Sequence, residues 1–148
     1  QPEMVNIDSG RGEGVIDTLR ANRYRVNEIA FGGRPSSPMY RNKRAEMWHN
    51  MKKFLESGGC IPNDTKLIAE LAAQTYNMGA DIFTLTSKDM MRKNGMRSPD
   101  IADALALTFA VRRSAAAYGG GGLVKADGGG LTSTKRNSKK KNLVRGRW

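Results

Sequence analysis

The chain has 148 residues, of which 39% are hydrophobic, and this length accommodates about one compact domain rather than two. Its formal net charge of +11 favours an acidic polymer such as nucleic acid as the partner. The single cysteine, Cys60, excludes an intrachain disulfide, and no apolar run approaches the roughly 18 residues of a membrane span, so we expect a cytoplasmic protein without membrane contact.

The first predicted element is a short apolar strand from Met4 to Ile7, which ends in Asp8. Glycines follow at every second position from Gly10 to Gly14. This spacing fits neither the dinucleotide-binding fingerprint nor a phosphate-binding P-loop, so we interpret it as a close-packed turn into a helix over Val15 to Ala21. Because α/β sheets bind ligands at the carboxyl ends of their strands, Asp8 is a candidate site residue.

Strand and helix patterns alternate through the middle of the chain. Arg25 to Phe31 alternates with a period of two, which predicts a second strand. Asn42 to Glu56 carries apolar residues at three- and four-residue spacing, which predicts an amphipathic helix. A further helix begins at Asn63 or Asp64 and continues to about Gln74, and Asp81 to Thr86 is a third predicted strand. This interleaving predicts an α/β body.

The last predicted helix, over 98–111, has Ser98 as its N-cap and carries Asp100 and Asp103 on one face. Asp100 is explained by the helix dipole, which favours an acid in the first turn. Asp103 precedes eight uncharged residues, so the helix is predicted to be buried nearly all round, and this carboxylate needs hydrogen bonds, a basic partner or a metal. The alternative to a metal or catalytic role is a structural ion pair with a residue such as Arg97.

Three carboxylates, Asp8, Asp100 and Asp103, without a cluster of cysteine and histidine favour a hard cation such as Mg²⁺ or Mn²⁺. Two such ions about 4 Å apart would activate a water molecule and stabilise the leaving oxygen in phosphodiester hydrolysis. The sequence therefore makes these three acids candidate metal ligands and candidate catalytic residues for such a hydrolysis.

Basic residues are concentrated in two places that are predicted to contact DNA. One group precedes the acidic helix, where it contacts phosphates or forms a solvated basic loop: Lys88, Arg92, Lys93 and Arg97. The other lies in the glycine-rich segment 119–148, which holds eight Lys or Arg residues, including Lys139, Lys140 and Lys141, against the single acid Asp127. We expect this segment to be a mostly disordered tail beyond the body 1–118, either a DNA-tethering arm or a tail without a specific partner.

Three blocks of the sequence resemble the nuclease domain of the large terminase subunits of tailed bacteriophages. They are VNIDSGRGEGVIDTL at 5–19, YRNKRAEMW at 40–48 and SPDIADALALTF at 98–109, and the resemblance covers roughly residues 3–115. The last block is also similar to the final acidic helix of RuvC-type resolvases. The resemblance implies an RNase H-like mixed sheet flanked by helices and a two-metal endonuclease that cuts concatemeric viral DNA. It makes Asp8 the second metal-binding acid and places Asp100 and Asp103 on the last helix.

The same resemblance implies the partners of the protein. They are double-stranded DNA, the ATPase motor domain of the terminase, the small terminase subunit and the portal, all in the cytoplasm of the host cell. It also implies earlier strands of the sheet, the first of which carries a further acid. Neither that acid nor a Walker A motif is present and the first residue is Gln1, so we expect a chain without its N-terminal strands, which is a fragment, a degenerate gene product or one part of a longer protein.

Two other classes of function remain open from the sequence. A non-catalytic basic DNA-binding module would explain the charge and the missing first acid, and its binding would be sensitive to salt without metal-dependent cutting. A RuvC-like junction resolvase would share the acidic helix and would prefer branched DNA over linear DNA. An RNA-binding protein is a weaker third class, because it gives no reason for a buried Asp103.

Overall fold

The structure, a computed structural model, describes residues 2–10, 12–111 and 144–147. Two small sheets and a set of helices form these parts of the chain, which confirms the α/β prediction. The elements in chain order are β1 (Val5–Asp8), α1 (Glu13–Ala21), β2 (Val26–Ile29), α2 (Lys43–Glu56), α3 (Thr65–Ala73), β3 (Thr75–Gly79), β4 (Ile82–Leu85), α4 (Lys88–Lys93), α5 (Asp100–Leu107) and β5 (Val144–Arg147). Strands β1 and β2 are parallel, and the other sheet has the antiparallel order β4-β3-β5.

The first unit is β1, α1 and β2, in which the two strands pair from Val5 with Val26 to Asp8 with Ile29. The turn after β1 is tight. A Cβ atom on Gly12 would lie 3.0 Å from the backbone oxygen of Asp8, so a larger residue would crowd that strand end. The structure thus agrees with a close-packed turn, and α1 begins one residue after it.

Helix α2 starts directly beside the end of β2. The backbone nitrogen of Arg44 donates to the oxygen of Phe31 at 2.9 Å, and the side chain of Asn42 caps the helix by accepting from the nitrogen of Ala45 at 2.9 Å. Met47, Trp48 and Met51 are fully buried along one face of the helix. The amphipathic prediction for this segment is confirmed, and its buried face is the centre of the core.

Helix α3 was predicted from the sequence, but the first strand of the hairpin that follows it was not. Asp64 caps α3 by accepting from the nitrogen of Leu67 at 2.8 Å, which decides between the two predicted caps. Strand β3 was not predicted, and β4 begins one residue later than expected. The two residues between them, Ala80 and Asp81, both have positive φ, 49° and 62°. This conformation belongs to the two-residue hairpin turn that usually carries asparagine or glycine, so the sequence lacked the usual signal.

The segment that we expected to be a basic loop contains the short helix α4. Its N-cap is Ser87, whose hydroxyl accepts from the nitrogen of Met90 at 3.2 Å, and Asp89 lies in its first turn. Both are ordinary signals of a helix start. The three basic residues predicted at 88, 92 and 93 therefore project from a helix rather than from a loop.

Helix α5 is shorter than predicted and is capped from outside. It begins at Asp100 with Pro99 as N-cap, and the hydroxyl of Ser98 donates to Asp100 Oδ1 at 2.7 Å instead of capping the backbone. A carboxylate oxygen of Glu70 on α3 accepts from the nitrogen of Ala102 at 2.8 Å and supplies the missing cap. The prediction that the helix is buried nearly all round is wrong, since Ile101 is exposed and only one face packs on the core.

The core lies where α2 packs between β4 and α5. Its largest fully buried side chains include Trp48, Phe83, Met47 and Met51, and Ala102 and Ala106 bring α5 close to α2. Strand β1 is joined to α5 through the amide of Asn6, which donates to the oxygen of Leu107 at 3.0 Å. The two sheets and the acidic helix are thus fixed to one another.

Strand β5 pairs with β3 from Met78 with Val144 to Thr75 with Arg147. These four residues lie in the segment 119–148, for which we expected mostly disorder, and they are instead described as a strand. The rest of that segment, including Lys139, Lys140 and Lys141, lies outside the described residues. Within the described ranges, none of the helices is both long enough and apolar enough to cross a bilayer.

Candidate functional site

Asp103 lies on the buried face of α5 and is 3% exposed. Its Oδ1 atom accepts two hydrogen bonds, from Trp48 Nε1 at 2.7 Å and from Arg44 Nε at 2.8 Å. Hydrogen bonds and a basic partner were two of the three possibilities left open by the sequence, and the contacts found correspond in kind to the structural ion pair that was the alternative to a metal role. Arg97 is not the partner found; Arg44 and Trp48 lie one turn apart on α2, and both side chains point to α5.

The guanidinium of Arg44 is fixed on two sides. One terminal nitrogen donates to Gln74 Oε1 at 3.1 Å, and the group lies 5.4 Å from the centre of the Trp48 ring. The amide nitrogen of Gln74 in turn donates to the oxygens of Thr75 and Thr86 at 2.9 and 3.1 Å, at the open end of the hairpin. Asp103 is therefore connected to both α2 and the antiparallel sheet through buried polar groups.

Lys88 places one positive charge between the two acids of α5. Its Nζ atom lies 2.9 Å from Asp103 Oδ2 and 3.5 Å from Asp100 Oδ1. Asp103 Oδ2 is buried and receives no hydrogen bond of good geometry from the described residues. Asp100 is exposed, so the pair combines one buried and one accessible carboxylate around a shared cation.

Asp8 ends β1, as predicted, and is half-buried. Its Oδ1 atom accepts from the nitrogen of Gly10 at 3.3 Å. Asp8 is paired with Ile29 in the parallel sheet, and two residues further along the chain the ring of Phe31 lies 5.7 Å from Lys88 Nζ. The carboxyl end of β2 therefore lies near the lysine that contacts both acids of α5.

The described residues contain no group of three or more His, Cys, Asp or Glu side chains already arranged to hold a metal ion. Asp100 and Asp103 share a neighbour in Lys88, and Asp8 lies on a different element, at the end of β1. The set of three acids therefore stays a prediction.

A basic groove leads to Asp100. It has a volume of about 860 Å³, is bordered by α3, α4 and α5, and is lined by Lys66, Arg92 and Arg97 together with the acids Glu70 and Asp100. Arg92 also forms an ion pair with Asp89 at 3.2 Å, while Lys93 is exposed nearby. Of the predicted DNA contacts, Arg92 and Arg97 thus line the groove, and Lys88 contacts Asp100, which also lines it.

A larger groove of about 940 Å³ runs along the hairpin and α4. The described side chains that line it are small, apolar or neutral polar ones, such as Thr75, Asn77, Thr84 and Met96, with no acid or base among them. Because a polyanion is attracted by fixed positive charge, the smaller groove beside Asp100 is the better candidate for a nucleic-acid path.

Sequence reasoning missed the residues that surround Asp103. Arg44, Trp48 and Gln74 are each separated from it by 29 or more residues, so no local pattern pairs them. A signal was present nonetheless. A buried carboxylate requires a hydrogen-bond donor. The predicted helix carries two donors, an arginine and a tryptophan, four residues apart on its apolar face, and donors on an apolar face usually have a buried partner.

Two other groups on α2 have shifted pKa values. Burial alone would raise the pKa of Glu46, but hydrogen bonds from Ser36 and the neighbouring Lys43 ammonium outweigh it, so the pKa is lowered. Burial, with a smaller effect of Lys53 and Lys52, lowers the pKa of His49, whose ring stacks on Phe83 with centroids 4.7 Å apart. Both groups fix α2 to its surroundings.

The fold is similar to that of solved nuclease domains of a phage terminase. The nuclease domain of the large terminase subunit gp2 of bacterial virus Sf6 is similar, with a TM-score of 0.56 at 19% identity over 76% of this chain and 66% of that chain. A lysine-to-alanine variant of it with manganese gives 0.55 at 17% identity, over 75% and 66%. The same variant with calcium gives 0.57 at 18%, over 75% and 66%.

These solved domains confirm the fold that the sequence resemblance implied. The chain spans 66% of their length. No protein-family model and no curated protein sequence matches the chain.

Proposed function

We propose that the chain carries metal-binding acids of a DNA endonuclease of the terminase type. The observation that carries the proposal is the pair of carboxylates on α5, which share one positive charge. Asp103 Oδ2 and Asp100 Oδ1 lie 2.9 and 3.5 Å from the same ammonium nitrogen of Lys88. The likeness to nuclease domains that were solved with manganese and calcium supports the same reading.

The residues of the site fit a hard divalent cation. Asp103 Oδ2 is a buried oxygen that contacts the Lys88 ammonium at 2.9 Å, so a metal ion bound there would take the place of that ammonium and compensate the burial in its stead. Asp100 adds an exposed carboxylate and Asp8 a half-buried one, and oxygen ligands of this kind suit Mg²⁺ or Mn²⁺. We propose two ions, held by Asp8, Asp100 and Asp103.

Such ions, when bound, supply an activated water and stabilise charge on the leaving oxygen of a phosphodiester. The chain's own residues do the remaining work. Asp103 would present Oδ2, the oxygen now in contact with Lys88, from α5, Asp100 lines the groove, and Asp8 would add a ligand from the end of β1. Arg92, Arg97 and Lys66 would bind the DNA backbone in the basic groove and bring a phosphate to the acids.

By resemblance to terminases, the substrate would be concatemeric viral DNA, cut in the cytoplasm of the host cell. The partners would be the ATPase motor domain, the small terminase subunit and the portal. Lys88 and Lys93, together with Lys139, Lys140 and Lys141 outside the described residues, remain predicted DNA contacts. The acid of an earlier strand, which the resemblance implies, would complete the set of metal ligands.

A plasmid-nicking assay in Mg²⁺ or Mn²⁺ tests the proposal, with the chain produced alone and with any residues encoded immediately upstream. We expect cutting that requires the divalent ion and that is lost in Asp8→Ala and in Asp103→Asn. The matched control is Asp17→Ala, an exposed acid of α1 outside the site. Cutting that persists in both site variants would show that the assignment is wrong.

The other two classes of function predict different results in the same set of assays. A basic DNA-binding module would bind DNA with an affinity that falls steeply with salt and would cut nothing in any metal. A junction resolvase would cut four-way branched DNA in preference to linear duplex. We expect linear duplex to be cut at least as well as branched DNA.

A further inference from the structure

We propose that Arg44 and Trp48 are positioning residues, which fix the carboxylate of Asp103 so that Oδ2 is directed to the bound cation. The inference rests on the proposed function, because it concerns the same acid. It adds two residues that would touch neither the metal nor the DNA and that would act through Asp103.

The two oxygens of the Asp103 carboxylate have different surroundings. Oδ1 accepts from both Arg44 Nε and Trp48 Nε1, at 2.8 and 2.7 Å. Oδ2 faces the charge of Lys88 at 2.9 Å and receives no hydrogen bond from the described residues. Two donors on one oxygen determine the rotation of the carboxylate, because turning it would leave both of them unpaired in a buried place.

The donors are themselves fixed by their own contacts. Trp48 is fully buried, so its ring cannot turn without disturbing the core. Arg44 is 8% exposed, and its second nitrogen is held by Gln74, which donates to the hairpin at two backbone oxygens. The orientation of Asp103 is thus determined by two different elements of the fold.

A purely structural ion pair would need only one of these features. Arg44 already pairs with Oδ1 inside the core, yet Oδ2 contacts a second cation, the Lys88 ammonium, which also lies 3.5 Å from the accessible acid Asp100. A partner of a metal-ligating side chain typically changes metal affinity or activity by about 10- to 100-fold when it is removed. We expect Trp48 and Arg44 to have effects of that size.

The test compares Trp48→Phe and Arg44→Lys with the control Met51→Leu. Phenylalanine keeps most of the ring packing and removes the donor, whereas lysine keeps the charge and moves the donor. Met51 is equally buried on α2 and has no polar contact with Asp103 in the described structure, so leucine probes packing alone. Mn²⁺ affinity is measured by titration calorimetry, and the free energy of unfolding is measured in urea for all forms.

We expect Mn²⁺ to bind Trp48→Phe and Arg44→Lys about 10- to 100-fold more weakly than the wild type, with metal-free DNA affinity unchanged. Raising the Mn²⁺ concentration should restore nicking by both variants, which loss of folding would not allow. Met51→Leu should bind Mn²⁺ as the wild type does.

Unchanged Mn²⁺ affinity in both variants, or a decrease that Met51→Leu reproduces, overturns the inference while the proposed function stands. A wild-type chain that binds no Mn²⁺ and cuts no DNA, with or without upstream residues, instead overturns the proposed function and the inference together.

Discussion

Asp103 and Asp8 belong to the same predicted set of acids, yet one lies in the buried contact between α2 and α5 and the other at the half-exposed end of β1. Asp103 is surrounded by Arg44, Trp48 and Lys88, whereas the contact found for the Asp8 carboxylate is the nitrogen of Gly10 at 3.3 Å. The first acid is therefore part of the core as well as of the site. The second can serve the site with little effect on folding.

The largest expected effect on the free energy of unfolding is that of replacing Asp103. Asp103→Ala leaves Arg44 buried without its acid, and removing one partner of a buried ion pair costs about 3–5 kcal/mol. Urea denaturation measures the free energy of unfolding. Asp100→Ala, one turn earlier and exposed, is the control and should change it by less than about 0.5 kcal/mol. Equal losses in the two variants would contradict the buried arrangement.

A smaller effect is expected where α3 caps α5. Glu70→Ala removes the carboxylate that accepts from Ala102 at 2.8 Å, and losing a helix cap costs about 1 kcal/mol. Thermal unfolding followed by circular dichroism measures the change. The exposed acid Asp17, replaced by alanine, is the matched control. If Glu70→Ala unfolds at the same temperature as that control, the cap does not stabilise the acidic helix.

The stability of the α2 region should depend on pH through His49, the single histidine of the chain. Since its pKa is lowered in the folded protein, the unfolded chain binds a proton first as pH falls. The free energy of unfolding should be highest above the ordinary value of 6.5 and should decrease as pH falls from there toward the lowered folded pKa. The charged side chains that affect the pKa of His49 are Lys52, Lys53 and Glu56.

Urea denaturation at a series of pH values measures this dependence. His49→Phe keeps a ring against Phe83 and removes the titrating group, so its curve should be flatter just below pH 6.5. Glu46 titrates lower, because its own pKa is reduced by Ser36 and Lys43. If the free energy of unfolding of His49→Phe depends on pH as that of the wild type does, the dependence comes from another group.

The smallest effect on stability is expected at Asp8. Asp8→Ala should change the free energy of unfolding by less than about 0.5 kcal/mol, as is usual for substitutions outside the core. The same variant should lose metal-dependent nicking. A large loss of stability would mean that Asp8 has a structural contact comparable to that of Asp103, and the contrast between the two acids would disappear.

The sequence predicted elements whose signals are local. The periodicity of 42–56 predicted α2, and Asp64 predicted the start of α3, because these patterns arise within one helix. Strand β3 was missed because the turn at Ala80 and Asp81 adopts a left-handed conformation without glycine or asparagine. The start of α5 was misplaced because its cap comes from Glu70, 32 residues away.

The acids of the candidate site could be predicted from the sequence, but the residues that contact them could not. Asp103 was recognised because a carboxylate in an apolar helix is costly, which is an argument from one segment. Arg44, Trp48 and Gln74 come from other elements, and only the packing of α2 against α5 and the hairpin brings them to Asp103. The exposure of Asp100 was likewise decided by which face of α5 meets the core.

The position of a bound metal tests the central claim most directly. Crystals of the protein grown in Mn²⁺ can be examined by anomalous scattering, which locates manganese independently of any assumption about its ligands. We predict a manganese peak about 2 Å from a carboxylate oxygen of Asp8 and from Oδ2 of Asp103, the distance of hard cations from their oxygen ligands. Manganese bound only away from Asp8 and Asp103, with the Lys88 ammonium still between Asp100 and Asp103, would contradict the account.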